Sequence, residues 1–258
     1  MNERKREDAF CEAALSKAIG TSIRVRVFDE IDSTSNEAKR MAADGADVPT
    51  LIAAARQSAG RGRMGRSFYS PAQTGVYFSV LYPICTPLWG AVSVTGAAAV
   101  ATMRAIRTLT GKQTQIKWVN DLYLNGKKIC GILTEAVTFG ERTHLIVGIG
   151  VNLNTQDFPN GLNATAGSLN DARLSRTELI AEIFGELRPF LDDPSDRSWL
   201  DDYRAHSCVL GRQVVWMCDG EAKQGIAVGI NQDGELEVVD DSGKASVLRT
   251  GEISVRVV

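Results

Sequence analysis

"QSAGRGRMGRSFYSP", Gln57 to Pro71, follows the apolar run "TLIAAA" and precedes "GVYFSVLYP". Gly60, Gly62 and Gly65 satisfy the G-x-G-x-x-G spacing of a dinucleotide-binding turn. That turn needs a helix immediately after it, because helix N-terminal amides hold the pyrophosphate, and an acidic residue about 20 positions on for the ribose. Here Pro71 and an apolar alternating stretch follow, and no Asp or Glu occurs between Arg66 and Arg104. The order is strand, loop, strand, which excludes a Rossmann unit. A disordered RNA-binding tract would be longer and interleaved with aromatic or basic patches. What remains is a loop whose glycines let backbone approach a ligand and whose Arg61, Arg63 and Arg66 offer forked donors to carboxylate or phosphate oxygens.

Working outward, "SIRVRVF" alternates apolar and charged residues as a half-buried strand does. "DSTSNEAKRMAADG" then predicts a helix, with Thr34 and Glu37 at capping-box spacing and Gly45 as its stop. "AVSVTGAAAVATMRAIRTL" reads as a buried helix ending before Gly111. "QIKW", "YL", "KICGILTEAV" and "THLIVGIGVNL" read as strands with turns at Asn125-Gly126 and Gly140. Ser175 and Glu178 open a further helix, and "RSWLDDYRAH" another. From Gly211 short strands alternate with Asp219-Gly220, Asp233-Gly234 and Ser242-Gly243, the rhythm of a small barrel or sandwich. These patterns predict an α+β domain with antiparallel-looking strands over residues 1–206 and a small all-β unit over 207–258.

Composition narrows the function. The 258 residues carry 29 Lys and Arg against 31 Asp and Glu, so no global field draws the chain to nucleic acid or anionic membrane. Cys11, Cys85, Cys130, Cys208 and Cys218 form no C-x-x-C pair, and His144 and His206 are the only histidines. Reduced thiols in a cytoplasm are the simplest reading, with Cys130 a small packed hydrophobe. The charged start "MNERKREDAF" is neither a secretory signal nor a membrane span. In "IKWVNDLYLNGKKICGILTEA", Lys117, Asn120 and Asp121 close one strand and Lys128 starts the next. That grouping suits a nucleotide phosphate with Mg²⁺; read alone, a polar hairpin is the favoured reading.

Taken in order, "IDSTSNEA", "QSAGRGRMGRSFYSP", "KWVNDLYLNGKKICGIL", "VGIGVNLN" and "GEIS" resemble the biotin protein ligases, from about Phe28 to the C-terminus. The resemblance implies a central mixed or antiparallel sheet with helices, like class II aminoacyl-tRNA synthetases, followed by an SH3-like barrel. It implies formation of biotinyl-5′-adenylate from biotin and ATP with Mg²⁺, then transfer of biotin to a lysine of a biotin carboxyl carrier domain. By motif, Ser33, Thr34, Ser35, Gln57, Gly60, Arg61, Gly62, Arg63, Lys128 and Gly131 would meet biotin. Arg63, Arg66, Lys117, Asn120 and Asn152 would meet ATP, and Asp121 the metal, with Lys128, Arg63 and Arg66 acting in catalysis. Position 119 is Val where the family often has Pro. The twenty-odd residues before the first strand are too few for a winged helix-turn-helix, so a ligase without operator binding is expected. The resemblance also allows a homodimer through the sheet surface of "VTFGERTHLIVGIGVNL". A lipoate or octanoate ligase or transferase is the related alternative, and a non-catalytic nucleic-acid binder the unrelated one.

Overall fold

A computed structural model describes residues 9–20, 23–84, 91–159, 161–218, 221–249 and 256–257. Seven strands form the larger sheet: β1 (Arg24–Phe28), β2 (Thr50–Ala54), β3 (Gly75–Ile84), β4 (Gln115–Lys117), β5 (Asp121–Leu124), β6 (Lys127–Phe139) and β7 (Arg142–Asn152). Their spatial order is β1-β2-β3-β7-β6-β5-β4. Only β1 and β2 run parallel. The sheet is therefore mixed, as the resemblance implied: the helix between β1 and β2, α2 (Thr34–Ala43), makes a crossover, and a crossover returns the chain in the same direction.

Period-2 alternation separates the sheet faces. Leu51 and Ala53, Val76, Phe78 and Val80, and Leu145, Val147, Ile149 and Val151 point into the main core with α3 (Ala91–Thr110) and α4 (Arg176–Asp192). On the opposite face, Ile52, Leu81 and Ile146 pack against Ala38 and Ala42 of α2. Further along that face α2 no longer covers the sheet. There Ser79 pairs with Gly148, which pairs in turn with Leu133, and Tyr77 pairs with Gly150, which pairs in turn with Gly131. The alternation of "GIG" in β7 thus leaves a bare floor, because two successive residues facing that side have no side chain.

A short helix that sequence periodicity did not reveal, α1 (Glu12–Ile19), precedes β1; it buries only Leu15 within its eight residues, too little to leave a periodic signal. The Thr34/Glu37 capping box does not form. Ser33 is the N-cap and makes no side-chain cap bond. The start of α2 is tied down instead by Asp32, which accepts from Asn36 Nδ2 and from both terminal nitrogens of Arg40. The Arg40 guanidinium holds the Asp32 carboxyl well below the usual carboxylate range. Thr34 has better partners elsewhere. At α4 the expected box is present: Ser175 Oγ accepts from Glu178 N at 3.0 Å and Glu178 reaches back to Ser175 N. Ser175→Ala should cost about 1 kcal/mol. For a chain of this size that is a fall of about 2–4 °C in Tm by calorimetry; an unchanged Tm would mean the box contributes nothing.

The second sheet has the order β11-β10-β9-β8-β12, all antiparallel: β8 (Gln213–Cys218), β9 (Glu221–Ile230), β10 (Leu236–Asp240), β11 (Ala245–Leu248) and β12 (Arg256–Val257). The Asp219-Gly220 turn, Cys85 and "GEIS" lie outside the described residues. Val214, Trp216, Ala227, Leu236 and Val238 join the same core as the large sheet. Polar ties reinforce it. Trp118 Nε1 donates to Gly234 O at 3.0 Å, and Arg204 of α5 (Leu200–Ala205) donates Nε and an Nη to Ile230 O at 2.9 and 2.7 Å.

Candidate active site

The glycine-arginine segment is a small hairpin laid over the bare floor. Phe68 N donates to Gly60 O, Gly62 N donates to Arg66 O, and a single 3₁₀ turn at Arg63–Gly65 forms the tip. Glycine is required at the root, since a Cβ on Gly60 would lie 2.4 Å from Phe68 O and 2.7 Å from Ser70 Oγ. Phe68 packs down onto the floor: a Cβ on Gly150 would come within 2.6 Å of its ring. Between hairpin and sheet lies a cavity of about 420 Å³.

One end of this cavity is lined by a chain of neutral hydrogen-bonding groups. Thr34 Oγ1 contacts Ser79 Oγ at 2.8 Å, and Ser35 Oγ contacts the same atom at 3.0 Å. Thr34 N donates to Gln57 Oε1 at 2.9 Å, and Gln57 Nε2 donates to Ser70 Oγ at 2.9 Å. Ser33, Thr34 and Ser35 are all buried. Each hydroxyl can turn to donate or accept, so the cluster suits a flat polar group with both donors and acceptors.

The other end is cationic. Lys128 Nζ lies 2.7 Å from Asp121 Oδ1, close as an ion pair but poorly aligned as a hydrogen bond. Arg63 donates Nη1 to Asn120 Oδ1 at 3.1 Å, while its buried Nη2 has no partner. Burial pushes the Arg63 guanidinium below its ordinary value, and the nearby Asp121 carboxylate opposes this. An arginine remains a cation under such a shift. Asn120 Nδ2 donates to Ile132 O and Asn152 Nδ2 to Gly167 O, which leaves Asn152 Oδ1 buried and unsatisfied. Lys117 Nζ sits 5.6 Å from the Tyr123 ring centroid, and burial raises the Tyr123 phenol to about 12. Arg66 is exposed at the rim. Along β7 the four residue steps from Gly148 to Asn152 span about 13 Å, which separates the two ends.

Of the residues named from sequence, Ser33, Thr34, Ser35, Gln57, Arg61, Gly62, Arg63, Arg66, Lys117, Asn120, Asp121, Lys128, Gly131 and Asn152 line this one cavity. Gly60 alone stands behind the lining, at the hairpin root. Sequence reasoning missed Phe68, Ser79, Gly148, Gly150 and Trp118. Two signals were available: a serine inside the apolar run "VYFSVLY", and glycines two apart in a strand. Cys130 is fully buried and its thiol is pushed up by burial, so it is a packing residue. Among the described residues no cluster of three His, Cys, Asp or Glu could hold a metal ion. No described helix is long and apolar enough to cross a membrane.

The profile of the biotin/lipoate A/B protein ligase family matches residues 27–152. The biotin–[acetyl-CoA-carboxylase] ligase of Paracoccus denitrificans is 31% identical over 83% of this chain and 93% of its own. The bifunctional ligase/repressor BirA of Bacillus subtilis is 40% identical over 60% of this chain, and the match spans half the length of that relative. Among solved structures, the biotin protein ligase from Aquifex aeolicus in complex with biotin and ATP superposes with a TM-score of 0.77 at 25% identity, covering 91% of this chain and 99% of that one.

Proposed function

The chain belongs to the biotin protein ligase family, and from that premise we propose that it couples biotin to ATP and passes the biotinyl group to a lysine of a biotin carboxyl carrier domain. In the first step a biotin carboxylate oxygen attacks the α-phosphorus, and pyrophosphate leaves. In the second the lysine amine attacks the acyl carbon, AMP leaves and the amine loses a proton. The observation that carries this reading is the cavity's polarity: a neutral donor-acceptor cluster at one end, cations and an amide at the other.

A ureido ring presents two N–H donors and one carbonyl, which Ser33, Thr34, Ser35 and Gln57 can satisfy. Such a site rejects analogues lacking those groups, since its own buried groups would be left unpaired. Joining a carboxylate to a phosphate brings two anions together. Arg63, Arg66 and Lys128 offset that charge, and no general base is needed because the carboxylate is already ionised. Gly60, Gly62 and Gly131 admit the ligand close to backbone. Lys117, Asn120 and Asn152 take the nucleotide side. The residues present fit a Mg²⁺ arriving with the nucleotide: Asp121 supplies one carboxylate and Asn152 Oδ1 an unpartnered carbonyl, and Mg²⁺ favours one or two protein oxygens plus phosphates. When bound, it would add positive charge beside the phosphates.

The same reading places the enzyme in the cytoplasm and divides it at residue 207 into a ligase unit and an SH3-like unit. It gives the enzyme no nucleic-acid partner and leaves the β6–β7 surface for self-association. The deciding experiment mixes the protein with biotin, ATP, Mg²⁺ and a carrier domain, and weighs the carrier by intact mass spectrometry. One biotinyl increment that disappears without ATP is expected. No increment, together with transfer of lipoate or octanoate, would move the chain to the sister activity.

A further inference from the structure

We propose that Glu135 is a positioning residue that clamps the root of the hairpin, so that Arg61 is an anchor and the tip 62–66 alone is left to respond to ligand. Arg61 donates its two Nη groups to the two oxygens of Glu135 at 2.8 and 3.0 Å, a bidentate pair across 74 positions of sequence. Lys39 of α2 donates to Glu135 Oε1 at 2.8 Å. All three side chains are one-third exposed or less. One carboxylate therefore ties together three elements that converge on the cavity: the hairpin through Arg61, the helix that begins with Thr34 and Ser35, and β6, whose Gly131 and Leu133 lie on the same face as Glu135.

The arrangement is asymmetric. At the root both Nη groups of Arg61 are engaged, whereas at the tip Arg63 has an unpartnered buried Nη2, Met64 adopts φ 56° and is half exposed, and Arg66 is exposed. Removing the Glu135 charge would also leave the Arg61 and Lys39 cations beside one another without the anion that separates them. Guanidinium and carboxylate held at both oxygens fix orientation as well as distance. Such a root sets where the tip can land on a bound carboxylate or phosphate. This role rests on reading the cavity as the biotinyl-adenylate site, yet the clamp itself can be tested without activity.

Trypsin cuts after arginine, so the hairpin reports its own opening. In the ligand-free full-length protein, Glu135→Gln should speed cleavage after Arg63 and Arg66 roughly 5- to 20-fold, as expected for loss of a partly screened charge-assisted pair. Cleavage elsewhere should keep its wild-type rate, and Glu135→Asp should restore most of the protection. Arg61→Gln should give the same acceleration, and the double variant no more than either single one. In the active enzyme Glu135→Gln should raise KM for biotin and the release of adenylate by a similar factor while kcat for adenylation stays within about threefold. Wild-type cleavage in Glu135→Gln, effects of the two single variants that multiply in the double, or acceleration at every tryptic site alike would each overturn the clamp. A wild-type protein that releases no pyrophosphate with biotin would instead sink the ligase reading and leave the cleavage result to decide the clamp alone.

Discussion

Lys128→Met is expected to slow biotin-dependent pyrophosphate release roughly 10²- to 10³-fold, the loss that follows removal of one oriented transition-state donor. Lys128 is the second residue of β6, just beyond the Asn125-Gly126 turn, whose residues both take positive φ and fix where the strand begins. Its backbone is fixed on the other side too: Lys128 N donates to Thr165 O, and Lys128 O accepts from Gly167 N. The ammonium is thus held over Gly131, where a Cβ would stand only 3.3 Å from Nζ, with Asp121 as its counter-ion.

In the proposed reaction negative charge grows on phosphoryl oxygens at this end of the cavity. Asp121 keeps Lys128 aimed there before substrate arrives; the poor alignment of their contact leaves the ammonium's other protons available. Methionine keeps the unbranched stem, one atom shorter, and removes the charge, so the fold should survive. It also leaves Asp121 without its cation, and that repulsion toward phosphate belongs to the measured loss. A variant with near-normal pyrophosphate release would move the catalytic charge to Arg63 and Arg66. Lys128→Arg separates charge from geometry: the planar fork cannot occupy the place of a compact ammonium above Gly131, so only a minor fraction of the rate should return.

How much of this was legible beforehand depended on how far each contact reaches along the chain. The β3, β6 and β7 strands, the turn at Asn125-Gly126 and the capping box at Ser175 are local, and their patterns identified them. The assembly of Ser33–Ser35, Gln57, Arg63, Asn120, Lys128 and Asn152 around one cavity was reachable only through the resemblance, because composition and spacing alone allowed a polar hairpin. The Thr34 hydroxyl looked like a helix cap because Glu37 stands three residues later. In the fold it meets Gln57 and Ser79, 23 and 45 positions away, which no local window contains. Glu135 is equally silent in sequence, an acidic residue near the end of an alternating strand. Its meaning comes from Lys39, brought to it by the crossover helix between β1 and β2, and from Arg61, brought by the hairpin between β2 and β3.

Trp199→Ala should destabilise the chain by about 3 kcal/mol, and should reach the active site although Trp199 touches none of it. The ring is buried at the start of α5, edge-on to Tyr203 with centroids 5.5 Å apart. It fills the notch made by Gly96 in α3: a Cβ there would lie 2.4 Å from the ring. Truncating a buried Trp costs about 3–5 kcal/mol. The lower part of that range applies, because the buried Nε1 has no partner and its removal returns some free energy. At about 2–4 °C per kcal/mol, Tm should drop by roughly 6–12 °C. The route to the site is the next turn of α5. Tyr203 donates its hydroxyl to Val119 O at 3.0 Å, directly before Asn120 and Asp121, and Arg204 ties the same helix to Ile230 of the second sheet. A loosened α5 therefore loosens the segment that presents Asn120 to Arg63. KM for ATP should rise in the variant below its own Tm, with KM for biotin little changed. Coupling to Gly96 gives the sharper check. Gly96→Ala should destabilise the wild-type chain by roughly 1–3 kcal/mol through overpacking, and should cost little or even stabilise in the Trp199→Ala background, where the new methyl enters vacated space. An equal cost in both backgrounds would mean that the indole is not seated over Gly96, and the proposed path from α5 to Asn120 would lose its support.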